Sequence, residues 1–105
     1  MNRTDLVNKV KNYLDITWED DKINDKIAGI TNRAIRVLQS YAGKAIVIEK
    51  DSDEEQLLLD LCRYIYNNAY EDFKNNFSSE LIMLRTKYQC DRESENDEQE
   101  KNTII

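Results

Sequence analysis

Residues 54–76, EEQLLLDLCRYIYNNAYEDFKNN, form the stretch on which the predicted fold depends. At about 100° per residue, its polar side chains fall in one narrow sector and its apolar side chains line the opposite side. Leucines and tyrosines on both flanks extend the apolar surface over more than half of the circumference. A helix of this kind must be covered on several sides. We expect another copy of the chain, or a partner protein, to supply part of that cover.

The remaining sequence predicts three further helices around this central one. Apolar residues at intervals of four and three predict a helix over residues 19–42, and Gly43 is placed to end it. Shorter helices are expected at residues 4–14 and 78–88. With the central helix at residues 53–76, we predict an all-α fold, a small bundle of about four helices around a long central helix.

Three local signals refine this prediction. Ser52 and Glu55 have the spacing of a capping box, which fixes the start of the central helix. Residues 44–50, KAIVIEK, are the only strand-like run, and a lone strand has no pairing partner in its own chain. An extended loop over the core is therefore favoured over an edge that pairs with another molecule. Trp18, the only tryptophan, is expected to plug one end of the core.

The charge distribution divides the chain of 105 residues into two parts. Six acids and two bases between Asp91 and Lys101 carry −4 of the total net charge of −6, so the rest of the chain is nearly neutral. We predict one helical domain over residues 1–89 and a flexible, disordered acidic C-terminal tail over residues 90–105. Its last apolar residues, Ile104 and Ile105, are candidates for docking a partner. A tail that only solvates the protein is the alternative.

The composition argues against an enzyme. The sequence has no histidine, and its only glycines, Gly29 and Gly43, cannot build a phosphate-binding loop. Cys62 and Cys90 lie in unlike settings and do not suggest a zinc site. We predict no catalytic residue, no cofactor and no metal, and hence a binding or assembly protein. No apolar run approaches the roughly 18 residues of a membrane span, so the protein is expected in the cytosol of the cell that makes it.

One basic stripe stands out as a candidate contact between subunits. It lies on the polar side of the helix predicted at residues 19–42, and a solvated helix face is the alternative interpretation. The central stretch offers acids at matching spacing and flanking tyrosines as the complementary surface. The candidate subunit-contact residues are Lys22, Lys26, Arg33, Arg36, Asp60, Glu71, Tyr64, Tyr66 and Tyr70.

Several short segments occur in a distinctive order between residues 14 and 85. They are TWED at 17–20, YAG at 41–43, LLLDLCRY at 57–64, NNAYEDF at 67–73 and NFSSEL at 76–81. Together they resemble the head–tail connector, or adaptor, family of tailed bacteriophages. The resemblance implies a small all-helical structural protein, often described as a DNA packaging protein, that forms a ring of about a dozen copies under the portal.

The resemblance also implies partners and a location. The ring would bind the portal protein on one side and a downstream neck, stopper or tail protein on the other, at the head–tail junction of the virion. DNA would pass through its channel without specific binding. Two alternatives remain open: a small acidic helical regulator or DNA mimic that binds a nucleic-acid-binding protein, and a DNA-packaging subunit that contacts DNA through the basic stripe.

Overall fold

The computed structural model describes residues 2–89, which form five helices and no strand. The helices are α1 (Arg3–Tyr13), α2 (Asp21–Ala42), α3 (Asp53–Tyr66), α4 (Tyr70–Asn76) and α5 (residues 78–89). The predicted all-α fold is confirmed. The acidic segment, with Cys90, Ile104 and Ile105, lies outside the described residues.

The core lies between α2 and α3, which form the main helix pair. α1 packs against both of these helices, and α4 packs against α3. The period of α2 buries one residue per turn along the face toward α3, as the sequence predicts. The largest fully buried side chains are Val10, Ile27, Thr31, Leu38, Leu58, Leu61, Cys62 and Phe73.

Ser52 caps α3 as the sequence predicts. Its Oγ accepts a hydrogen bond from the backbone N–H of Glu55 at 3.1 Å. The Glu55 carboxylate does not return to the N–H of Ser52, as a complete capping box would require. It accepts instead from the N–H of Asp51 at 3.3 Å and from Lys9 Nζ at 2.7 Å. This nearly buried carboxylate therefore ties α1 to the start of α3.

The predicted continuous helix over residues 53–76 is wrong, because the chain breaks between α3 and α4. Asn68 has a φ of 57°, in the left-handed region. The N–H of Asn68 donates to the carbonyl of Ile65 at 3.1 Å, and the N–H of Ala69 donates to that of Tyr64 at 2.7 Å. This pair of bonds is a Schellman motif, which satisfies the last carbonyls of α3 and redirects the chain. Asparagine tolerates the left-handed conformation better than most residues.

The break brings aromatic side chains together that one straight helix would hold apart. Nine residues of helix would separate Tyr64 from Phe73 by about 13 Å along the axis. In the folded chain their ring centroids are 5.7 Å apart, and Phe73 stacks on Phe77 at 4.7 Å. Phe73 is completely buried as a result.

The chain reversal at Asn68 also removes the reason for expecting a partner to cover α3. Leu57 and Leu59, on its two flanks, are buried by the chain itself, and Tyr64 and Tyr66 are half-buried. The central helix was expected to be partly uncovered by its own chain, and this is wrong, because α4 is a further packing element rather than part of that helix.

Two connections complete the fold. Residues 44–50 form an extended loop, as favoured, with the N–H of Val47 donating to the Tyr88 hydroxyl at 3.2 Å. Trp18 does not plug the core, since 53% of it is exposed. The connection from α1 to α2 is held by Ile16, which is buried, and by Lys11 Nζ, which donates to Glu19 at 3.1 Å and Asn24 at 2.7 Å.

Substitutions at Asn68 test the break. Asn68→Gly should change the free energy of unfolding by less than about 1 kcal/mol, because glycine adopts positive φ freely. Asn68→Val should lower it by about 1–2 kcal/mol, because a β-branched residue is strained there. Urea denaturation followed by circular dichroism measures both.

Asn75→Val, on an exposed position within α4, is the matched control and should cost less than Asn68→Val. In a continuous helix the order would reverse, since glycine would then be the damaging replacement by about 1 kcal/mol relative to alanine.

The thiol of Cys62 provides a second test of the core. Burial raises the pKa of Cys62 to about 12, partly opposed by a hydrogen bond with Thr31. Because the thiolate is the reactive form, a Cys90→Ser variant should react with a disulfide reagent at pH 8 at least roughly 1000-fold more slowly when folded than in urea. Rapid labelling of the folded protein would contradict the burial of this helix face.

Candidate interaction surfaces

The basic stripe predicted from the sequence lies on the outer side of α2. Lys22, Lys26, Arg33 and Arg36 are all exposed. Among residues 2–89, none of the four has a carboxylate within 4.0 Å, whereas Lys9, Lys11, Arg63 and Lys87 each have at least one. The fold thus leaves this row of cations without an ionic partner in the described part of the chain.

Two of the candidate tyrosines lie beside the stripe in the same chain. Lys26 Nζ is 5.2 Å from the ring centroid of Tyr66, and the Arg33 guanidinium is 5.3 Å from that of Tyr70. Such cation–π contacts contribute about 0.5–1 kcal/mol each at exposed sites. The six residues Lys22, Lys26, Arg33, Arg36, Tyr66 and Tyr70 therefore form one surface, which we call the cation–tyrosine face.

A groove opens where this face meets α4. It has a volume of about 470 Å³, with Arg33 and Arg36 on one wall and Lys74 on the other. Lys74 Nζ lies 5.1 Å from the ring centroid of Tyr70, so the Tyr70 ring contacts one cation from each wall of the groove. Among residues 2–89, no acid lines this basic groove, which consists mainly of Arg33, Arg36, Ser40, Tyr41, Tyr70 and Lys74.

The remaining candidate residues are placed differently. The side chain of Asp60 is only 14% exposed. Its Oδ1 accepts from the Tyr13 hydroxyl at 2.5 Å, and Arg63 Nη2 lies 3.9 Å away. Asp60 is thus engaged in joining α1 to α3. Glu71 is exposed and lines a shallow cavity with Arg33 of the same chain, while Tyr64 is half-buried against Phe73.

Tyr13→Phe tests this assignment of Asp60. The variant leaves the carboxylate without its closest donor, and we expect a loss of about 1.5–3 kcal/mol in the free energy of unfolding. Tyr41→Phe, a hydroxyl deletion on a side chain with no hydrogen bond to another described residue, is the matched control.

The same bond gives a pH dependence. The hydrogen bond to Asp60 raises the pKa of Tyr13, with burial adding to the effect. The folded state then holds this proton more tightly than the unfolded state, so the contribution is complete below pH 10 and is lost as pH rises through the raised pKa. This part of the alkaline loss of stability should be absent in Tyr13→Phe, as urea denaturation between pH 9 and pH 11 would measure.

A second surface lies between α3 and α5. It is an apolar groove of about 440 Å³ whose floor includes Leu57, Phe77, Met83 and Leu84. Acids rim it, among them the exposed Asp53 and Glu80. Lys87 Nζ crosses its end to Glu54 Oε1 at 2.8 Å, and this hydrogen bond raises the pKa of Lys87.

This apolar groove was not predicted from the sequence. Leu81, Leu84 and Tyr88 form the buried period of α5, and Ile82 and Met83 do not belong to it. These two large apolar side chains are 65% and 69% exposed, respectively. Met83, which lines the groove, was the signal, because a large apolar residue outside the buried period of its helix marks an additional apolar surface.

The described residues contain no group of three or more side chains suited to holding a metal ion. Within residues 2–89, no helix is both long and apolar enough to cross a membrane.

No family model matches the sequence, and neither a curated protein nor a solved structure matches it.

Proposed function

We propose that this protein is a head–tail connector of a tailed bacteriophage. It assembles as a ring under the portal, extends the channel for DNA, and presents a docking surface to a neck or tail component. The observation that carries the proposal is the ordered series of segments between residues 14 and 85, found in a chain whose described residues form helices and no strand.

The two surfaces of the chain support assembly into a ring. The cation–tyrosine face is built from α2 with Tyr66 and Tyr70, whereas the apolar groove is built from α3, α5 and Phe77. The two surfaces share no residue, and their charges are opposite. A closed ring needs heterologous contacts, in which two unlike surfaces of the same protein meet. In this proposal the cation–tyrosine face of one copy meets the acid-rimmed groove of the next.

The charge balance supports a passive channel. Outside Asp91–Lys101 the net charge is only −2, because that segment carries −4 of the total of −6. A basic lining would hold the phosphates of DNA through the release of counterions. A nearly neutral body lets DNA move past without such a grip.

Charge reversal with purified portal tests the ring contact. One variant carries Arg33→Glu and Arg36→Glu, and the other carries Asp53→Lys and Glu80→Lys. Each should weaken ring assembly severalfold, because exposed ion pairs worth about 0–1 kcal/mol each are repeated around the ring. An equimolar mixture of both variants should recover part of the loss, since the reversed charges then meet. Analytical ultracentrifugation and electron microscopy of the rings are the readouts.

Two controls complete this test. Lys50→Glu with Arg85→Glu makes the same change in net charge as Arg33→Glu with Arg36→Glu, at exposed positions outside both surfaces, and it should assemble normally. Thermal unfolding establishes that every variant is folded. If both reversal variants assemble like the parent, the contact between subunits lies elsewhere.

The behaviour of the unsubstituted protein toward the portal and toward DNA distinguishes the connector from the two alternative functions. Assembly on the portal into a ring supports the connector. A monomer or dimer that does not bind the portal contradicts the connector function and favours the regulator. A salt-dependent affinity for DNA favours the subunit that contacts DNA.

A further inference from the structure

The basic groove has the chemistry of an anion-binding surface. Three cations surround it, and the hydroxyls of Ser40, Tyr41 and Tyr70 add hydrogen-bonding groups. Arg33, Arg36 and Lys74 all lack a carboxylate within 4.0 Å among residues 2–89. In a protein whose net charge is −6, a groove to which the described residues contribute three cations and no acid is a local exception.

The cations continue beyond the groove along α2. Lys22, Lys26, Arg33 and Arg36 extend over 14 residues of helix, a distance of about 21 Å. A small anion would use only one end of such a row. A peptide with several acids spaced along it matches the row better, because each acid can approach a different cation.

The chain itself contains a segment with this property. Residues 91–100 include six acids and one base, and no other run of ten residues contains six acids. Asp91, Glu93, Glu95 and Asp97 alternate with other residues. This spacing places side chains on one side of an extended peptide, about 7 Å apart. We propose that the acidic segment 91–100 binds the basic groove and the adjoining cations of α2 in its own chain.

The position of the last described turn of α5 makes this contact reachable. The Tyr88 hydroxyl accepts from the N–H of Val47, and Lys44 Nζ lies 5.8 Å from the Tyr88 ring centroid. The end of α5 thus lies against the loop that follows α2. Arg36 is seven residues of helix from Gly43, or about 10 Å. Residues 90–105 can span up to roughly 50 Å, several times this distance.

The bound segment would compete with any other acidic partner of α2. This competition includes the ring contact proposed above, in which Arg33 and Arg36 also take part. The binding itself does not depend on the connector function, because it is a property of the free chain. Failure of ring assembly and failure of segment binding are therefore separate results.

Paramagnetic relaxation in the full-length protein tests the proposal. A chain with Cys90→Ser and Asn96→Cys carries a nitroxide label within the acidic segment without changing its charge, and the buried Cys62 stays unlabelled. We expect loss of amide signal at residues 33–41 and 70–74 and little loss at α1. Salt at about 1 M, where the Debye length is near 3 Å, should restore the signals.

Matched substitutions establish which cations bind. In the labelled chain, Arg33→Gln with Arg36→Gln should abolish the signal loss. Lys50→Gln with Arg85→Gln removes the same charge elsewhere and should leave the loss unchanged. Equal effects of the two pairs, or signal loss spread evenly over the chain, would overturn the proposal.

Mixing experiments test whether the basic groove binds the acidic segment of a second copy, or DNA, instead. Isotope-labelled chains without the nitroxide, mixed with nitroxide chains without isotope, should show no broadening if each segment binds its own chain. Broadening in the mixture as strong as dilution of the label allows, relative to the sample in which every chain carries both labels, would assign the groove to the segment of a second copy and overturn the same-chain contact. If the label has no effect while a short DNA duplex shifts the same amides, the groove binds phosphates instead.

Discussion

The left-handed turn at Asn68 is the constraint on which the rest of this structure depends. It ends α3 after Tyr66 and sends α4 back, so that Phe73 reaches Tyr64 at 5.7 Å. The reversal buries apolar side chains that a straight helix would leave facing solvent. It also places α4 beside α2, where Lys74 completes the basic groove. One backbone conformation, adopted by a residue that tolerates it, thus determines both the cover of the core and the shape of a surface.

The charged side chains of this fold are of two kinds. Some are buried and join two elements, and others are exposed to solvent. Lys11, Glu54 and Glu55 are buried, and each is hydrogen-bonded across two elements, as buried charges must be. The basic side chains along α2 have no such partner among the described residues. Their exposure costs little in water, and it leaves their electrostatic attraction available to another surface. The proposed contacts between subunits depend on this second group.

The sequence was sufficient for the elements whose signals are periodic or local. The long repeat of α2, the Ser52 cap and the Gly43 stop all appear as predicted, because each depends on neighbours within one or two turns. The break at Asn68 was missed although the pair Asn67–Asn68 signals it, since Asn67 fits the polar face of a continuous helix and the apolar residues before and after the pair keep one helical period. The basic stripe was found from spacing alone. The apolar groove was not, because it needs the position of α5 relative to α3, which only tertiary packing determines.

The exposed Trp18 gives this protein an unusual optical property. Its indole already contacts water in the native state, so unfolding of the core changes its surroundings little. Tryptophan emission is therefore a poor measure of folding here, and far-ultraviolet circular dichroism is the better one. The same residue is a sensitive reporter of anything that covers the connection between α1 and α2. A shift of its emission to shorter wavelength on adding a second protein would locate that protein at this end of the bundle.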